Sequence, residues 1–128
     1  NPEELYQRAS VVITRAGAIA LSEILVFGLP AIIIPYPFAA DNHQEANAQF
    51  IAQNKAAVVL KQCAEHELSQ FINNIKNILI NLLSDEKKLC ALSKNALKLA
   101  NINATDIIVQ RIIKSINKQF FNLLCSRR

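Results

Sequence analysis

The sequence predicts a doubly wound α/β fold, represented here by about three parallel strands and about six helices. Three observations point there. Short apolar runs at residues 10–14, 31–35 and 56–60 alternate with helix-length segments, the pattern of βαβ units buried on both faces. Beyond Lys61 only helical spacing recurs. The chain has 128 residues, 52% hydrophobic and 19% charged. That is enough apolar mass for one core, and it excludes a disordered or low-complexity segment.

Each element has its own local reason. Ser10-Val11-Val12-Ile13-Thr14 is β-branched and reads as a buried strand. Arg15-Ala16-Gly17 is the turn after it. Residues 18–27 read as a helix, with Ile19, Glu23 and Val26 on one side and Leu21 and Leu25 on another. Gly28-Leu29-Pro30 stops it, a glycine at the helix end with proline beyond. Ala31-Ile32-Ile33-Ile34-Pro35 is the second buried strand, followed by a Pro- and Ala-rich loop over 36–42. Residues 43–54 form a helix with Ala46, Phe50 and Ile51 inward, and Ala56-Ala57-Val58-Val59-Leu60 is the third strand.

The later half is read from helical periodicity. Leu68, Phe71, Ile72, Ile75, Leu79, Leu82 and Leu83 recur as one apolar seam. Ser84 is the expected N-cap of a helix over 85–100, with acidic residues in its first turn. Thr105 or Asn103 caps a last helix to about Leu124, with Ile108, Ile112, Ile116, Phe120 and Leu123 as its stripe. Residues 1–62 thus form a βαβαβ part, and residues 63–128 are helices packing on the same domain.

Three strands followed by helices match the later half of the strand order 3-2-1-4-5-6. The other half is absent, which leaves one strand edge open. The chain also begins without Met, so it is expected to be a later piece of a longer protein. Residues 24–40 carry no charge over 17 positions, yet Gly28, Pro30, Pro35 and Pro37 interrupt them. A spanning helix needs about 20 unbroken apolar residues, so no membrane span is expected.

Charge is distributed unevenly. Residues 1–83 carry 5 basic and 7 acidic side chains, and residues 84–128 carry 9 and 3. The basic end suits a solvated helix face or an anionic membrane surface. Without interleaved aromatic residues to stack bases, nucleic acid is not an expected partner. Cys63, Cys90 and Cys125 are odd in number and far apart, and His43 and His66 lack ligand spacing. Neither a disulfide framework nor a metal site is expected.

Two segments sit where a ligand binds in such folds, just beyond the carboxyl ends of strands. In the first, Gly17 lets a ligand approach the backbone, and the helix start supplies free N–H groups and a partial positive charge. Glu23, one and a half turns on, can accept two hydrogen bonds from a cis-diol. From spacing alone, a solvated helix charge is the stronger reading of Glu23. In the second segment, Asp41, Asn42, His43, Gln44 and Asn47 gather at a helix start. Ordinary capping explains one of these five and leaves the others. Such polar groups suit sugar hydroxyls.

Taken together, ITRAGAIALSEILVFGLPAIIIPYPFAADNHQEANAQFI closely resembles the MurG family of N-acetylglucosamine transferases. The resemblance is specific over residues 9–60 and looser through the later helices. It implies a GT-B glycosyltransferase, with this chain as part of its Rossmann-like C-terminal, nucleotide-sugar-binding domain. It implies inverting transfer of N-acetylglucosamine from UDP-N-acetylglucosamine to a lipid-linked muramyl pentapeptide. The enzyme would work at the cytoplasmic face of the bacterial membrane, peripherally and without cofactor.

Residue by residue, Glu23 matches the acid that holds the donor ribose. Gly17, Ala18, Ile19 and Ala20 match the turn and helix start at the sugar and diphosphate. Gln44 matches a glutamine on the N-acetylglucosamine hydroxyls, and His43 stands beside it where the family also carries glutamine. Arg15 and Asn47 match the motif as further candidates, for ligand or for structure. The acceptor domain, the general base and the Gly-rich phosphate loops of the family have no counterpart here, so the piece alone is expected to be inactive. The alternatives are a donor subunit of a split UDP-sugar transferase and a non-catalytic remnant.

Overall fold

A computed structural model of the chain describes residues 2–100, 103, 106 and 108–114. The elements run α1 (Pro2–Arg8), β1 (Val12–Thr14), α2 (Ala18–Val26), β2 (Ala31–Ile33), a 3-10 turn (Ala40–Asn42) and α3 (His43–Gln53). They continue with β3 (Val58–Val59), a second 3-10 turn (Glu65–Glu67), α4 (Leu68–Leu83) and α5 (Glu86–Leu99). Residues 108–114 are helical as well. Of the last helix's expected residues, Thr105, Ile116, Phe120 and Leu123 lie outside the described residues; Asn103 is an exposed turn residue, and the stripe positions Ile108 and Ile112 are exposed rather than packed.

The three strands form one parallel sheet in the order β1-β2-β3, with Ile13 beside Ile32 and Ile33 beside Val59. Consecutive parallel neighbours are what half of a doubly wound sheet requires. All three residues of β2 are buried because helices cover both faces. On one face Ala31 and Ile33 join Leu21, Ile24, Ala48 and Ile51 of α2 and α3. On the other, Ile32 packs with Leu82 of α4 and Leu92 of α5. Helix α5 reaches across both layers, since its Ala96 joins the first cluster. Burying Ile32 or Ile33 completely contributes about 1.5–3 kcal/mol each.

Several local expectations change. The first strand is shorter than residues 10–14, and Ile13 is 46% exposed rather than buried. The cause is position: β1 pairs only with β2 among the described residues, so its outer edge and flank stay open. The third strand shrinks from residues 56–60 to Val58–Val59. In α4 the seam turns inward at Ile78, Leu79 and Leu82, whereas Leu68, Ile72 and Leu83 are exposed. Ser84 closes α4, its hydroxyl donating to the Ile80 carbonyl. Asp85 caps α5 instead, accepting from the Lys88 N–H at 3.0 Å.

Helix α3 is rotated relative to the expectation. Ala48 and Ile51 face the core, while Ala46 is exposed and Phe50 is 55% exposed. Gln44 and Asn47 therefore share the inward face at i, i+3, i+4 and i+7 spacing. The uncharged stretch resolves into the end of α2, a turn and β2. No described helix is long and apolar enough to cross a membrane.

Candidate functional site

The two expected segments meet at the carboxyl ends of β1 and β2. The amides of α3 fasten them together. Gln44 Oε1 accepts from the Ala16 N–H at 3.2 Å and from the Tyr36 N–H at 3.0 Å. Asn47 Nδ2 donates to the Ala16 carbonyl at 3.0 Å. The fully buried Ala16 is thus gripped at both ends of its peptide groups. An inward-facing polar side chain has to be hydrogen-bonded, and both amides find backbone partners. Because Gln44 uses its oxygen on two N–H donors, the NH2 group is the remaining hydrogen-bonding part of its side chain.

Gly17 follows as the N-cap of α2, and no side chain caps the helix start. By helix geometry the N–H groups of Ala18, Ile19 and Ala20 have no acceptor within the helix. Ala18 and Ile19 are exposed. The helix start therefore presents donors and a partial positive charge at the strand ends. A Cβ placed on Gly17 would meet nothing within 4 Å.

Glu23 lies on the exposed side of α2. Its Oε2 accepts from the Tyr6 hydroxyl at 3.0 Å. That bond pushes the Tyr6 phenol above its ordinary pKa, with desolvation and the nearby carboxylate charge adding to it. Like any phenol at neutral pH, Tyr6 is protonated and donates. Its ring packs on Phe27 at 5.6 Å between centroids.

Arg15 is committed to the framework. Its Nη1 donates to Gln62 Oε1 at 2.7 Å and lies 3.3 and 3.4 Å from the carbonyls of Ile34 and Pro35. The guanidinium also sits 5.6 Å from the Tyr36 ring centre. These contacts tie the end of β2 to the segment after β3. His43 Nδ1 donates to the Ala40 carbonyl at 2.5 Å, since a carbonyl only accepts. The turn before it is strained: Asp41 and Asn42 have φ of 50° and 53°, a region that Asp and Asn tolerate better than most residues. Asn42 occupies the N-cap position of α3, but its side chain makes no cap bond.

The sequence reading missed Tyr6 and Gln62. Tyr6 precedes Glu23 by 17 positions and Gln62 follows Arg15 by 47, so no local spacing signals either. One further concavity, of about 430 Å³, lies under the start of α4 between Ile13, Ile34, Leu68 and Phe71. Gly17, Glu23 and Gln44 do not line it. Among the described residues no group of three or more His, Cys, Asp or Glu side chains could hold a metal ion.

The sequence model of the glycosyltransferase family 28 C-terminal domain matches residues 1–111. A curated UDP-N-acetylglucosamine–N-acetylmuramyl-(pentapeptide) pyrophosphoryl-undecaprenol N-acetylglucosamine transferase of Flavobacterium psychrophilum is 41% identical over 115 residues. That match covers 90% of this chain and 30% of the relative. A transferase of the same name from Desulforamulus reducens is 38% identical over 121 residues, covering 93% of this chain and 31% of the relative. The crystal structure of Acinetobacter baumannii MurG superposes with a TM-score of 0.74 at 32% identity, covering 89% of this chain and 31% of that one. The chain thus spans about 30% of the length of the curated relatives it matches.

Proposed function

The chain belongs to the glycosyltransferase family 28 C-terminal domain family, and from that membership we propose that it is the donor-binding part of an inverting N-acetylglucosamine transferase. The donor is UDP-N-acetylglucosamine, and the acceptor is a lipid-linked muramyl pentapeptide of peptidoglycan synthesis. The observation that carries this reading is the uncapped start of α2. It is exposed, lies beside a glycine with open space at its Cβ, and stands at the carboxyl ends of parallel strands.

The chemistry divides among named groups. The N–H groups of Ala18, Ile19 and Ala20 receive the diphosphate and sugar oxygens, and their fixed dipoles stabilise charge on the departing UDP. Glu23 accepts the ribose diol through the carboxylate acceptor sites that Tyr6 does not use. Gln44 donates its NH2 to a hydroxyl of the N-acetylglucosamine, beside His43. Arg15 and Asn47 act through the backbone they hold. Deprotonation of the acceptor hydroxyl is assigned to a base outside this set, in the acceptor-binding part of the intact enzyme. The names of the relatives favour this reading over a split donor subunit or a non-catalytic remnant.

A lipid-linked acceptor would be met at the cytoplasmic membrane face, where the intact enzyme would work peripherally. Titration of UDP-N-acetylglucosamine tests the assignment. Glu23→Ala in the intact protein is expected to weaken donor binding roughly 10- to 100-fold, from about 1.5–3 kcal/mol lost at a charged hydrogen-bonding group. An unchanged donor affinity removes the ribose role.

A further inference from the structure

Resting on Glu23 as the ribose acceptor, we propose that Tyr6 is a positioning residue that holds this carboxylate ready for the nucleotide. The two side chains come from different helices, and the Tyr6 hydroxyl donates to Glu23 Oε2 at 3.0 Å. An exposed glutamate on a helix surface otherwise samples several rotamers, and a ligand must order it on binding. Ordering it beforehand lowers the cost of association.

Tyr6 is itself fixed. Its ring is half-buried and packs on Phe27, the residue that closes α2, with the two planes at 46°. The phenol is therefore braced against the end of α2 while its hydroxyl reaches Glu23 on the same helix. The bond uses one acceptor site of Oε2. Oε1 and the remaining lone pairs stay available, and a cis-diol needs two of them. An ordinary phenol already keeps its proton at neutral pH, and the bond to Glu23 pushes its pKa further up. A tyrosine serves better here than lysine or arginine, which would offer several donors and neutralise the carboxylate that the diol needs.

The test uses Tyr6→Phe, which keeps the ring packing and removes only the donor. Binding of UDP and of its 2′,3′-dideoxyribose analogue is measured by calorimetry on the intact protein, with Glu23→Ala and the double variant alongside. Tyr6→Phe is expected to weaken UDP binding roughly two- to tenfold, leave the dideoxy analogue unaffected and cost nothing further once Glu23 is alanine. Weakening of both nucleotides alike, or a full loss in the Glu23→Ala background, shows that Tyr6 acts through packing and overturns the proposal. Unchanged UDP binding in Tyr6→Phe, with Glu23→Ala impaired, overturns the role of Tyr6 while the ribose role stands. Unchanged binding in Glu23→Ala overturns both.

Discussion

Helix α2 meets a glycine at each end, and the two have opposite surroundings. At Gly28 the backbone is left-handed, with φ of +60°, and a Cβ would lie 2.7 Å from Leu97 Cγ. The Gly28 N–H donates to the Leu25 carbonyl and the Leu29 N–H to that of Ile24, the paired bonds of a Schellman end. At Gly17 the backbone has φ of −71°, open to any residue, and a Cβ would meet nothing within 4 Å. The fold requires glycine at Gly28, whereas at Gly17 glycine is only a favoured N-cap with room left around it. That room, beside exposed helix N–H groups, is the space the proposed donor would use. The helix is anchored at one end and presented at the other.

The comparison is sharpened most by Gly28→Ala. The left-handed conformation costs about 1–2 kcal/mol for an L-residue, and crowding against Leu97 adds about 1–3 kcal/mol. A loss of about 2–5 kcal/mol in urea unfolding is expected. A loss below about 1 kcal/mol would mean that Leu97 and the turn yield, and that the anchored end is not anchored.

Gln44→Ala addresses the presented end from beneath. It strips the acceptor from the Ala16 and Tyr36 N–H groups, and an unsatisfied buried donor costs about 1–3 kcal/mol. Tyr36 lies nearer solvent and its N–H can recruit water, so a total of about 1–3 kcal/mol is expected. Gln44→Glu retains an acceptor oxygen and should recover most of that stability while removing the NH2 donors offered to the sugar. If Gln44→Ala leaves both stability and amide exchange at Ala16 unchanged, the two segments are held by something other than this clamp.

Local punctuation made much of this legible in the sequence. Gly28 and Pro30 fixed the end of α2, and the β-branched run before Pro35 fixed β2. The two ligand segments are expected just beyond the carboxyl ends of strands, and Gln44 joins them. What was not legible depended on partners far along the chain. The expected inward face of α3 holds Ala46, Phe50 and Ile51, and of these only Ile51 is buried. Gln44 and Asn47 take the inward face instead, because Ala16 supplies backbone partners 28 and 31 positions away. Hydrophobic periodicity holds no record of such bonds. Arg15 has the same character: its residue type suits a phosphate, yet Gln62 and the β2 end occupy its Nη1. Ile13 reads as core from its type alone, and only the open edge of β1 explains its exposure.

The smallest effect on stability belongs to Gly17→Ala, and it bears most directly on the comparison. Alanine is a poorer N-cap than glycine, but it also restricts the unfolded chain, worth about 0.4–1 kcal/mol in the opposite direction. With an ordinary φ and open space at the Cβ, these terms nearly cancel, and a change within about 0.5 kcal/mol is expected. Binding should respond differently. The added methyl points into space that the protein leaves empty, so a donor lying against the helix start must shift or lose its N–H contacts. Donor affinity is expected to fall about tenfold, the equivalent of about 1.4 kcal/mol. Thermal unfolding and donor titration on the same sample separate the possibilities. A stability loss like that of Gly28→Ala makes both ends structural. Unchanged binding places the ligand away from Gly17 and returns the helix start to ordinary solvent exposure.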